Sequence, residues 1–150
     1  MTRPVSILLL CLLLFASCRR YHAEVVVFHT LPSDGWEQTD TIRFPIDTLD
    51  AQGTYQLSIG LRTSISSPYP FRNLQLNIQE KISSLPQRSH TISIPISTNY
   101  HGTTLKEYLL PVDTIQLPPK ATGEILITHH MRNNPLYGIR DLGVKLIEIK

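Results

Sequence analysis

Tyr55-Gln56-Leu57-Ser58-Ile59-Gly60-Leu61-Arg62 alternates apolar residues with polar or small ones along its whole length. Successive side chains of an extended strand point to opposite faces, so this pattern buries Tyr55, Leu57, Ile59 and Leu61 together. A helix would scatter the same four residues around its axis. Moving outward, Leu74, Leu76 and Ile78 alternate in the same way, and so do Ile92, Ile94 and Ile96. Pro95 sits inside the last run and lacks a backbone donor, which places that strand at a sheet edge. Val25 to Phe28, Ile125 to Ile127 and Val144 to Ile149 are apolar on both parities and read as more central strands. Thr41 to Ile46 and Tyr108 to Val112 add two further strands. Turn signals separate the runs, among them Pro32-Ser33-Asp34-Gly35, Gln52-Gly53, Ser67-Pro68, Pro118-Pro119 and Asn133-Asn134-Pro135. The expectation is an all-β fold: a single antiparallel β-sandwich of seven or eight strands, jelly-roll or immunoglobulin-like. Its core is expected to hold Tyr55, Leu57, Ile59, Leu74, Leu76, Ile78, Ile92, Ile94, Ile125 and Ile127.

The N-terminal segment has a different character. Arg3 precedes an almost wholly apolar run from Val5 to Ala16, and Leu14-Phe15-Ala16-Ser17 leads directly into Cys18. A charged start, an apolar middle and small residues before the cut form a secretory signal peptide. A cysteine just past the small residues is the acceptor that bacterial lipoprotein processing acylates. The run is shorter than the ~20 residues a spanning helix needs. Residues 1–17 are therefore expected to be removed, residues 18–23 to form a lipidated tether, and residues 24–150 to form the sandwich. Acylated Cys18 ties the domain to a lipid bilayer, stably if it carries the usual three chains. No acidic cluster follows it, which favours the periplasmic face. A tether this short, at ~3.6 Å per residue, keeps the domain within roughly 20 Å of its membrane.

Removal of residues 1–17 leaves 133 of the 150 residues, enough for one domain and one core. The remaining basic and acidic residues nearly balance, so no electrostatic footprint for nucleic acid exists. Of the two cysteines, Cys11 lies in the leader, so stability comes from packing and not from an internal disulfide.

Catalytic patterns are not found. His129 and His130 are adjacent, and neighbours on a strand face opposite sides, so they cannot share a metal. His129 shares parity with Ile125 and Ile127 and reads as a core or rim residue. Asp34, Glu37, Asp40, Asp47 and Asp50 are spread through turns, where carboxylates usually cap. No Gly-x-Ser-x-Gly elbow and no phosphate-binding glycine loop occurs. The expectation is a protein without catalytic residues, metal or cofactor. Trp36 is the single tryptophan, and with Tyr69, Tyr100 and Tyr137 it raises a glycan-binding alternative, although a lone tryptophan more often packs.

Several segments, in order along nearly the whole mature chain, resemble the GldH family of gliding-motility lipoproteins of Bacteroidetes. They are Cys18; Phe28 with Leu31-Pro32 and Trp36; Asp40 with Ile42 and Phe44; Tyr55-x-Leu57-x-Ile59-x-Leu61-Arg62; Tyr69-Pro70-Phe71-x-Asn73-Leu74-x-Leu76; and Met131-Arg132 leading to Leu136-x-Gly138-Ile139-x-Asp141-x-Gly143. Between Tyr100 and Glu107 the chain departs from that pattern. The resemblance implies an envelope accessory protein of gliding, acting near a machine that also secretes proteins, and it carries over no catalytic residue. Within the matching segments Arg62, Arg132, Arg140 and Asp141 have two readings. An arginine beside a carboxylate fixes a turn through charge-assisted bonds. The same residues with Tyr69, Phe71 and Tyr137 could form a docking patch for other envelope proteins, since Arg and Tyr are enriched at interface hot spots.

Overall fold

The computed structural model describes residues 24–46, 52–64, 68–96 and 105–149. Cys18, the leader, the tether, Asp47, Asp50, Ser67 and Tyr100 lie outside these residues. Eight strands follow one another: β1 (Glu24–Thr30), β2 (Ile42–Pro45), β3 (Gly53–Ser64), β4 (Asn73–Ile82), β5 (Arg88–Pro95), β6 (Leu105–Leu117), β7 (Gly123–His129) and β8 (Ile139–Ile149).

Two four-stranded antiparallel sheets form, ordered β1-β8-β3-β6 and β2-β7-β4-β5. First pairs with last, second with seventh, third with sixth and fourth with fifth. A long hairpin rolled around a core produces this order, and it is the jelly roll rather than the immunoglobulin arrangement. β3 and β4 read as alternating strands because one face of each lies on the opposite sheet. Tyr55, Leu57, Ile59 and Leu61 are fully buried, as are Leu74, Leu76 and Ile78 from the facing sheet. Ile94, Ile125 and Ile127 complete this part of the expected core.

Two expectations need correction. Ile92 is only partly buried, because β5 is an edge strand and the sandwich opens beside it. β1 is also an edge strand, paired with β8 alone, whereas β7 and β8 are interior as expected. The apolar character of β1 on both parities has another cause. Phe28 lies across the outer face of its sheet, where Gly143 stands opposite it and Gly60 lies one strand further. A Cβ on either glycine would sit 2.6 Å from the Phe28 ring. The two glycines therefore make a slot for the ring, and Arg62 closes it from above, 3.9 Å from the ring centroid.

Candidate functional site

Successive connections alternate between the two ends of a jelly roll. The β1–β2, β3–β4 and β7–β8 connections therefore meet at one end, and β1 starts at the other. Trp36 is the hub of this loop end and is 1% exposed. Its backbone exchanges two hydrogen bonds with Leu136 across the loops, at 2.9 and 2.8 Å. Its indole Nε1–H donates to the Asp40 carbonyl at 2.9 Å, which folds the β1–β2 connection back on itself. Gln38 extends the lock: its backbone N–H donates to Asn134 Oδ1 at 2.8 Å and its side-chain amide to the Met131 carbonyl. Trp36 offers no exposed face for stacking a sugar.

His129, at the end of β7, packs edge-on against the Trp36 ring with centroids 5.0 Å apart. It is 2% exposed. Its Nε2–H donates to the Trp36 carbonyl at 2.8 Å, and Nδ1 accepts from the Met131 N–H at 3.3 Å. That pair of bonds requires the neutral ring. Burial holds the imidazole below its ordinary value of 6.5, against the opposing pull of the Trp36 carbonyl. The sign follows: above the unfolded value both states are neutral, and below it the unfolded chain takes the proton first. The stability contributed by neutral His129 is therefore present above pH 6.5 and lost as pH falls toward the folded value. Thermal melts at about pH 7.5 and 5.5 are expected to show a larger loss for the wild type than for His129→Gln. Equal losses would remove His129 from the loop lock.

The fold separates the residues singled out in the sequence into two groups. Tyr69 and Asp141 are buried and brace the loops. Tyr69 donates its hydroxyl to the Asn73 carbonyl at 2.9 Å, and burial raises its pKa above the ordinary phenol value. It also meets partly buried Phe71 edge-on, 5.4 Å between centroids. Asp141 accepts from the Thr30 hydroxyl at 2.8 Å, which ties the end of β1 to β8. Arg62 lies opposite Asp141 in the strand register, yet its ion pair is with Glu107 at 2.8 Å. The nearest contact of Arg140 to Asp141 is 3.9 Å. In contrast, Arg132, Tyr137 and Arg140 are exposed, Tyr137 by 53%. Tyr137 and Arg140 border a cleft of about 350 Å³, whose opposite wall is Thr30, Leu31, Pro32 and Ser33.

Sequence reading missed three features. Gln38 and Asn134 gave no signal, because their bond spans 96 positions. The Phe28 slot had one: a glycine inside an alternating strand often marks close approach of another group. A metal-ligating cluster was also not foreseen, yet among the described residues Glu80, His90 and Asp113 come together from three strands.

The GldH lipoprotein family model matches residues 25–146, which spans β1 through most of β8. The chain belongs to the GldH lipoprotein family. No match was found among curated proteins. Membership in the GldH family makes the chain a lipoprotein, which implies membrane anchoring. Its matched region contains the whole loop end, from Trp36 to Arg140.

Proposed function

We propose that this domain is a non-catalytic docking protein of the gliding machinery and its associated secretion apparatus, anchored through acylated Cys18 on the periplasmic face of the envelope. One observation carries this reading: exposed Arg132 and Tyr137 project from loops locked together by Trp36 and His129, and exposed Arg140 follows them at the start of β8. Exposed tyrosine and arginine on a rigid support are what a binding hot spot uses, because the locked loops leave little backbone freedom to be lost on docking. Two exposed arginines favour an acidic partner surface with an apolar centre for Tyr137.

The strand directions support one orientation. β1 begins at Glu24, at the end opposite the loops, and the tether joins it there. Seven residues of strand span about 24 Å, so the loop end lies about that far from the point where the tether joins, which suits docking away from the membrane surface. The partner is then an envelope protein reaching out from the same membrane.

The test is photo-crosslinking in cells from position 137, followed by affinity purification of the lipidated chain. Tyr137→Ala combined with Arg140→Ala is expected to lower partner capture at least about tenfold and impair assembly of the complex, since hot-spot truncations cost about 2 kcal/mol or more. Cys18→Ala is expected to leave the membrane and rescue a deletion poorly. Undiminished capture by the double variant would refute loop-end docking. Full rescue by the untethered chain would refute the need for local attachment.

A further inference from the structure

The inner edge of the sandwich between β5 and β6 holds a group of ionisable side chains unlike the rest of the core. Glu80 on β4 and Arg88 on β5 are register partners, and His90 pairs with Ile78 two positions along. Asp113 approaches from the other sheet, pairing with Leu57 beside the bulge of β3 and β6. Arg88 spans the sheets, 3.4 Å from Glu80 Oε2 and 2.6 Å from Asp113 Oδ2. That leaves the group incompletely satisfied. Glu80 is 2% exposed, and its Oε1 is buried without a hydrogen-bond partner. His90 Nε2 is likewise buried without one, with Asp113 Oδ2 3.9 Å away. Native proteins rarely leave a buried carboxylate oxygen unpaired, and the cost is high when they do.

We propose that Glu80, His90 and Asp113 bind one zinc-class divalent cation that clasps the two sheets together. Each residue offers one ligand atom, and the three atoms lie within 4.8 Å of one another. Tetrahedral zinc at about 2.0–2.2 Å from each ligand holds the ligand atoms roughly 3.4 Å apart, so closing the site takes about 1 Å of side-chain movement. Three protein ligands with water at the fourth position is the open zinc arrangement. A cavity of about 190 Å³, lined among others by Ile82, Leu85, Ile115 and Gln116, reaches Glu80 and Arg88. The donors select the ion: an imidazole nitrogen with two carboxylates suits zinc, whereas calcium and magnesium want six or more oxygens. Arg88, whose side chain is 48% exposed, is the competitor and can swing into solvent as the cation replaces its charge.

The experiment is calorimetric titration of zinc chloride into the full chain, purified in detergent and stripped with EDTA, alongside thermal melts. One zinc per chain is expected, with a rise in melting temperature. Glu80→Gln and His90→Gln are each expected to weaken binding more than about tenfold and abolish the rise. Arg88→Ala, which removes the competing cation, is expected to tighten binding, and His130→Gln on the exposed loop to leave it unchanged. Circular dichroism without zinc checks the fold of each variant; should Glu80→Gln fail to fold, the partly exposed His90 position decides. Absence of saturable binding up to about 1 mM zinc overturns the proposal. So does binding that survives Glu80→Gln or His90→Gln, and so does binding lost in His130→Gln.

Discussion

Trp36→Ala is expected to lower unfolding free energy by about 3–5 kcal/mol, a large share of the 5–15 kcal/mol typical of a domain. The indole is almost fully buried, and removing it opens a cavity beneath the loop end. The loss extends beyond the cavity: the Nε1–H bond to Asp40 and the edge contact with His129 go with it. Trp36→Phe keeps most of the buried surface and is expected to cost less. Urea unfolding followed by far-ultraviolet circular dichroism measures both. As the only tryptophan, Trp36 also reports wild-type unfolding through its own red shift in fluorescence. An unchanged urea midpoint in Trp36→Ala would mean that the loop lock is not structural.

Gly138→Ala is expected to cost roughly 3 kcal/mol, from left-handed backbone strain together with overpacking. Gly138 has φ of +89°, and an added Cβ would lie 2.5 Å from Tyr69 Cα and 2.7 Å from Tyr69 N. These are backbone atoms, so no rotamer change relieves the contact. Separation of the β3–β4 and β7–β8 connections is expected to follow, and with it disordering of Tyr137. Gly53→Ala serves as the comparison. Its nearest neighbour is the flexible end of Glu148 at 3.3 Å, so a change within about 1 kcal/mol is expected. The paired melts decide the matter: similar shifts for both variants would mean that the close approach at Gly138 is not what constrains the loops.

The alternation that starts at Tyr55 was enough to assign faces, because side-chain direction in a strand is local and needs no knowledge of neighbours. Of the three runs apolar on both parities, those in β7 and β8 are interior and only that in β1 is not. Apolar residues on both faces of β1 mark a ring filling a glycine slot at a sheet edge, and periodicity cannot tell that from a strand covered on both sides. Of the residues that could form a docking patch, Tyr69 and Asp141 are buried. Their burial comes from packing against Asn73, Phe71 and Thr30, and the Thr30–Asp141 bond spans 111 positions.

By itself the chain determined the strands, nine of the ten residues assigned to the core and the family resemblance, all of which rest on short-range spacing. Only the tertiary structure decided the jelly-roll pairing, the loop lock around Trp36 and the meeting of Glu80, His90 and Asp113. Alternation states which face a residue takes but not which strand lies beside it. That choice is made by closure of the two sheets on a shared core, where residues far apart in sequence become neighbours.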